Sequence, residues 1–209
     1  MLTAHWTFDA ETIDGRQVAD STGSGLTAIM DETVEVVPGR VAGQALAFDG
    51  KSRATIPAGP QLVLSQLLGF SIAFHLQVTE APTGEWRGIL YKQVTEHDAR
   101  GFGVWLYPDM LRLRVQLFTA KGPEYADNRR ILRAGEWTHV AVIVDLDEMY
   151  VYIDGELDVA VPLPSPVVTP AGPIFLGRDP TGLGFTGLLG DLRVYATALT
   201  GEAVQAIMD

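Results

Sequence analysis

GFTGLLGDLRVYATALTGEAVQAIM, residues Gly184 to Met208, is the stretch on which the fold turns. Its first half alternates toward Tyr195 as a β-strand does, and a polar turn follows. The residues after Thr200 suit a short helix, with Thr200 as cap, Glu202 in the first turn, and Val204 and Ile207 facing inward. A strand this apolar cannot end the chain as a bare edge, because its unpaired amides and carbonyls would invite association. It needs a partner, and the best candidate is Ala4 to Asp9 at the other end. The expectation is a β-structure closed end to end.

Between these two segments, 22 glycines and 12 prolines punctuate short runs rich in Val, Ile, Phe, Tyr and Trp. That spacing marks an antiparallel sandwich or barrel rather than βαβ units. Asp20 to Gly23 reads as a turn. Strands are expected at Leu26 to Met30, Ala45 to Phe48 and Ala54 to Ile56, and one or two helical turns at Gln61 to Leu68. In Phe70 to Val78, Phe70, Ile72, Phe74, Leu76 and Val78 alternate with Ser71, Ala73, His75 and Gln77, a half-buried strand of period two. Arg87 to Lys92 is another strand. Phe102 to Tyr107 and Met110 to Phe118 flank Pro108-Asp109 and form a hairpin. Trp137 to Val144 is apolar on both parities and reads as a strand covered on both faces. Met149 to Ile153 and Leu157 to Val161 flank Asp154-Gly155, a second hairpin. Pro162 to Pro173 is an extended crossover, leading to Ile174 to Gly177 and then Phe185 to Tyr195.

The chain has 209 residues, 47% of them hydrophobic and 20% charged, which suits one well-filled core, so residues 1–209 read as a single all-β domain. A net charge of -11 without a basic stripe argues against nucleic acid and anionic membranes as partners. Acidic excess is compatible with binding a hard cation and equally with simple solubility. No cysteine is present, so thiol chemistry and disulfides are excluded and the compartment is left open. Residues Met1 to Ala10 lack the pattern of a signal segment, and no run is long enough to span a bilayer.

Seven strings carry a resemblance over essentially the whole chain: His5-Trp6-Thr7-Phe8-Asp9, Gly43 to Gly50, Phe70 to Phe74, Trp137 to Ala141, Val151 to Gly155, Leu176-Gly177-Arg178 and Gly187 to Tyr195. In this order they resemble a laminin-G-like domain of the concanavalin A-like lectin/glucanase superfamily. The resemblance implies an antiparallel β-sandwich, a jelly roll of two large sheets with adjacent termini, carrying the short C-terminal helix. It also implies a broad choice of roles, from lectins and glycan-binding modules to adhesion domains and some glycoside hydrolases. An extracellular, cell-surface or virion-associated setting goes with such domains.

Hydrolases of this superfamily set two carboxylates at alternating positions of one strand, and hydrolysis needs such a pair across the scissile bond. Here the acidic clusters Asp145 to Glu148 and Asp154 to Asp158 fall at hairpin turns, so catalysis is not expected. No serine sits in a nucleophile elbow. His139 is read as a hydrogen-bonded core residue, and His97 with Asp98 as an exposed pair in the loop Thr95 to Arg100. Many domains of the resembled family hold calcium. If the terminal strands pair, Asp9, Asp20 and Asp191 could converge at one rim with Asp49 as a further donor. The competing reading is that Asp9, Asp20 and Asp49 bond turn amides.

Strand parity sharpens the search for a ligand site. With Leu111, Leu113, Val115 and Leu117 facing the core, Arg112, Arg114 and Gln116 face outward, and Trp105 and Tyr107 accompany them across the turn. His75 and Gln77 share the outward parity of their own strand and join this surface if the strands are neighbours. Aromatic faces with planar polar groups are what sugars bind, and arginine would also suit an acidic sugar. The competing reading packs the aromatics under a loop, with arginines stacked on them or paired with acids. Ala120 to Gly135, with Tyr125, Arg129 and Arg130, reads as a surface excursion, an extra edge strand near Arg130 to Leu132, or a binding loop. The expectation is a non-catalytic module for carbohydrate with a structural calcium as an option; the alternative is a structural or adhesive module that binds a protein surface within a larger cell-surface or viral assembly.

Overall fold

The computed structural model describes residues 1–40, 43–93, 100–167 and 169–208. Among these, eight strands form one sheet and ten form a second, nearly all antiparallel. The first sheet runs Glu156–Pro162, Glu148–Ile153, Trp137–Val144, Phe70–Val78, Thr186–Tyr195, Gln44–Asp49 and Glu35–Pro38, with Leu2–Trp6 also on Thr186–Tyr195. The second runs Gly122–Asp127, Leu113–Thr119, Arg100–Leu106, Arg87–Gln93, Ile174–Leu176, Ala54–Ile56, Thr27–Met30, Gln17–Ala19 and Ile13–Asp14, with Leu183–Gly184 beside Arg87–Gln93. One apolar core lies between them, in which Trp6, Phe8, Phe70, Phe74, Phe102 and Phe185 are fully buried. The architecture is a β-sandwich.

The closing strand Thr186–Tyr195 has the partner its apolarity demands. Ala4 pairs with Val194, His5 with Arg193 and Trp6 with Leu192. The first strand stops at Trp6 rather than Asp9 because Phe8 turns into the left-handed region, φ 59°, to bury its ring. Along the same edge, Thr186 to Leu189 pair instead with Gln44–Asp49. The change of partner occurs at Asp191, φ 51°, where the pairing with Phe70–Val78 is also bulged.

Trp137–Val144 is covered on both faces, as its pattern requires. Val140, Val142 and Val144 enter the core, whereas Ala141 and Ile143 pack outward with Ala73 against Val204 of the helix Gly201–Ala206. The Thr200 side chain caps that helix by accepting from the Ala203 amide at 3.2 Å. Gln61 to Leu68 forms two 3-10 turns, Pro60–Leu62 and Gln66–Leu68. The loop holding His97 and Asp98 lies outside the described residues. The strand in Ala120 to Gly135 is Gly122–Asp127 at the edge of the second sheet, not a segment near Arg130 to Leu132.

Candidate functional site

On the outer face of the second sheet, residues in register across the strands make one row: Tyr125, Gln116, Gly103, Tyr91 and Phe175. A neighbouring row holds Asp127, Arg114, Trp105 and Gly88. The expected parity is correct, since Leu113, Val115 and Leu117 are fully buried while Arg114 and Gln116 are only half-buried. The two glycines have a steric role. A Cβ on Gly103 would overlap the Trp105 ring, which lies across that residue, and one on Gly88 would stand 2.9 Å from the Asp179 amide nitrogen. Flat backbone at these points lets an indole and a loop lie close to the sheet.

Trp105 is 5% exposed and packs with Tyr91 and Phe175 in an apolar cluster separate from the main core. Its Nε1 donates to Asp179 Oδ2 at 3.2 Å. Asp179 in turn accepts from the Thr181 amide at 2.8 Å and from the Gly182 amide, so one carboxylate ties the loop after Gly177 to the indole.

Arg114 is the centre of the neighbouring cluster. It donates to both Asp127 oxygens, Nε at 2.8 Å and Nη2 at 2.9 Å, and Nη2 also reaches the Tyr107 hydroxyl at 2.7 Å. Its Cζ lies 4.2 Å from the Tyr125 ring centre, 5.0 Å from Trp86 and 5.1 Å from Tyr107. The paired carboxylate holds the guanidinium pKa above its ordinary value. Burial works against the Asp127 charge, but the Arg114 and Tyr107 bonds keep its carboxyl below the usual range. Burial and the nearby carboxylate push the Tyr107 hydroxyl up. Arg112 lies over Tyr107 at 5.5 Å and donates to the backbone carbonyls of Asn128 and Asp127. Both arginines therefore stack on rings and bond within the protein, Arg114 to an acid and Arg112 to backbone carbonyls, while the Nη1 of each has no hydrogen bond among the described residues.

What remains open is a pocket of about 320 Å³ lined by Trp86, Trp105, Arg114, Gln116, Asp179, Thr181 and Gly182. Trp86 is 40% exposed and Tyr125, on the far side of Arg114, is 51% exposed. Arg114 Nη1 takes part in none of the bonds to Asp127 or Tyr107. The pocket thus offers indole surface beside a guanidinium nitrogen, an amide and a carboxylate, all planar groups able to read hydroxyls.

His75 and Gln77 do not belong to this surface. Their strand lies in the first sheet, between Trp137–Val144 and Thr186–Tyr195, so they face outward on the opposite side of the sandwich. Gln77 donates to the Gly135 carbonyl at 2.9 Å. His75 is buried against His139, ring centres 5.0 Å apart, and its Nε2 is 3.0 Å from both the Arg40 Nη1 and the Met208 carbonyl. Burial lowers the pKa of His75 and takes that of His139 down to about 3. His139 is buried as expected, but on the outer parity of its strand, and its Nδ1 has no partner among the described residues.

The calcium set fares differently from the expected convergence. Asp9 and Asp191 do line one cleft, with His5, His75, Arg40 and Arg193. Asp191, however, is bonded to His5 and paired to Arg193 Nη2 at 2.8 Å; burial opposes its charge, but the His5 hydrogen bond and the Arg193 guanidinium keep its carboxyl pKa low. Asp20 accepts from the amides of His5 at 2.5 Å, Thr22 at 3.1 Å and Ser24 at 2.8 Å, tying the turn to the first strand. Asp49 accepts from the Lys51 and Ser52 amides at 2.9 and 2.7 Å, which take its pKa down to about 2. Among the described residues, no group of three or more His, Asp or Glu side chains is arranged to hold a metal ion. Asp20 and Asp49 spend their oxygens on turn amides outside this cleft, and the cleft sets Asp9 and the paired Asp191 beside two guanidiniums, an arrangement that does not fit a divalent cation.

The acidic turns are structural in the same way. Asp145 accepts from the Asp147 and Glu148 amides, and Asp154, φ 49°, accepts from the His139 amide and pairs with Arg130. Sequence reasoning missed Trp86, Asp179 and Thr181. Trp86 follows the turn at Gly84, φ 87°, and an aromatic side chain in a Gly-marked turn was its one available signal. Asp179 and Thr181 act through loop closure onto the sheet, which no local pattern announces.

Residues 48–205 match a family model described as the concanavalin A-like lectin/glucanases superfamily. No curated protein sequence matches the chain. Domain 4 of AbnA, an extracellular arabinanase of family GH43 from Geobacillus stearothermophilus, solved in complex with arabinotriose, is 25% identical with a TM-score of 0.74, covering 100% of this chain and 98% of that one. The binding domain of Paraclostridial Mosquitocidal Protein 1 is 15% identical with a TM-score of 0.79, over 99% of this chain and 51% of that one. The binding domain of botulinum neurotoxin serotype G is 15% identical with a TM-score of 0.80, over 100% and 50%. The chain spans about half the length of these toxin domains, and at such identity the likeness is one of fold.

Proposed function

We propose that this chain, which belongs to the concanavalin A-like lectin/glucanase superfamily, is a single non-catalytic module that binds carbohydrate on the outer face of its second sheet. The observation that carries the reading is the pocket between Trp86, Trp105, Arg114 and Gln116, where an apolar ring surface adjoins unspent planar polar groups. Sugar C–H faces pack on such rings, and hydroxyls bond the polar rim. The arabinanase domain, alike over its whole length and solved with a trisaccharide, supports this choice, and its extracellular enzyme supports a site of action outside the cell. Among the described residues, no helix is long and apolar enough to cross a membrane.

Calorimetric titration with arabinotriose tests the proposal. Binding should weaken at least tenfold in Trp86→Ala and severalfold in Gln116→Ala, with melting temperatures close to that of the parent because both side chains are partly exposed. Undiminished binding in both variants would remove the site.

A protein partner is the second reading, favoured by one observation. Val63, Leu67 and Leu146, 53%, 79% and 57% exposed, line an apolar cleft on a different part of the molecule, and Leu68 beside them is 75% exposed.

A further inference from the structure

We infer that the pocket selects uncharged sugars over acidic ones, with Asp179 as the discriminating residue; this rests on the carbohydrate reading above. The polar rim comprises the Arg114 guanidinium, the Gln116 amide, the Asp179 carboxylate and the Thr181 hydroxyl. At first sight the arginine invites a carboxylate. Its charge, however, is already matched by Asp127 through two bonds of 2.8 and 2.9 Å, in the parallel geometry that best satisfies a guanidinium. A sugar acid would have to displace that carboxylate or settle for Nη1 alone. Arg112 offers little more, because it does not line the pocket and its Nε and Nη2 are turned to the Asn128 and Asp127 carbonyls.

Asp179 then decides the sign of the pocket. It is 8% exposed; its Oδ2 accepts from Trp105 Nε1, and its Oδ1 accepts from the Thr181 amide and hydroxyl and from the Gly182 amide. Those bonds hold the carboxylate at the pocket wall. The three loop donors all fall on Oδ1, so Oδ2, which among the described residues accepts from Trp105 Nε1 alone, keeps a lone-pair position for a ligand hydroxyl. Hydroxyls both donate and accept, and so they match a rim holding one acceptor-only group, one donor-only nitrogen and one amide that does both. A ligand carboxylate only accepts, and it would be brought beside a negative group that cannot move without breaking the loop. Juxtaposed like charges are a strong device for rejecting a partner. The chain's net charge of -11 adds a weaker repulsion, screened over about 8 Å at physiological ionic strength.

Titration of the full chain with arabinotriose, β-1,4-galactotriose and trigalacturonic acid, at physiological salt, tests the inference. A neutral trisaccharide should bind at least tenfold more tightly than the acidic one. Asp179→Asn should narrow that ratio severalfold, and Gln116→Glu, which adds a carboxylate without touching the loop, should widen it. Acidic sugar bound as tightly as neutral by the parent, and lost in Trp86→Ala, would overturn the selectivity while leaving the site standing. A ratio unmoved by both Asp179→Asn and Gln116→Glu would also overturn it. Neutral binding unaffected by Trp86→Ala, or no binding of any of the three sugars, would overturn the carbohydrate reading itself.

Discussion

The two outer faces of the sandwich carry similar residue types and put them to different uses. On the first sheet, His5, His75, Asp191, Arg40 and Arg193 bond one another where Thr186–Tyr195 changes partner, and the C-terminal helix covers the neighbouring Ala73, Ala141 and Ile143. On the second sheet, Arg114 and Asp127 are paired just as closely, yet the rings around them stay partly open and a pocket remains beside Trp105. Polar residues on the first face brace the junction of the chain ends. Those on the second hold aromatic rings in place and leave part of their surface open. A cluster of charged and aromatic side chains is therefore not a site in itself; what distinguishes one is the binding capacity left after the internal bonds are counted.

The largest expected effect comes from attacking the buried member of the open face. Trp105→Ala removes an indole packed on Tyr91 and Phe175 and should cost about 3–5 kcal/mol of unfolding free energy, measured by urea titration. A loss within about 1 kcal/mol would mean the ring is not load-sharing, contrary to its 5% exposure. Trp105 is thus a poor probe of binding alone, and a Trp105→Ala, Arg114→Ala double variant cannot keep the fold untouched. Trp86, the exposed indole, separates binding from stability.

A smaller effect sharpens the other face. His139 is buried and its pKa lies at about 3, against 6.5 for an unperturbed histidine. Its depressed value means that the unfolded chain takes up the proton first as pH falls, so the stability is present above pH 6.5 and drains below it. Between pH 7 and pH 5 this amounts to about 2 kcal/mol, set by the unfolded-state value alone. His139→Gln should flatten that part of the stability profile; an unchanged slope would show that His139 is not held neutral.

Much of the fold was legible in the sequence because the central strands have two definite faces. Phe70–Val78, Trp137–Val144 and the Asp154-Gly155 hairpin stand where period and turn chemistry put them. Edge strands were not legible: Glu35–Pro38 and Gly122–Asp127 are half-exposed, and their side chains carry no clean alternation. The site was legible by halves for a related reason. Parity says whether a side chain points out of its sheet, and it was right for Arg114, Gln116, His75 and Gln77. It says nothing about which of two sheets a strand joins, and so it merged two faces that lie on opposite sides. Trp86 and Asp179 sit in loops, where no period exists to read.

The central claim is that ligand sits on the outer face of the second sheet, and chemical-shift mapping of the ¹⁵N-labelled protein during titration with arabinotriose tests it most directly. The account predicts progressive shifts of the Trp86 and Trp105 indole N–H signals and of the Gln116 and Thr181 amides, with His5, His75 and Asp191 unmoved. Shifts confined to His5, His75 and Asp191, with the Trp105 indole unchanged, would contradict it.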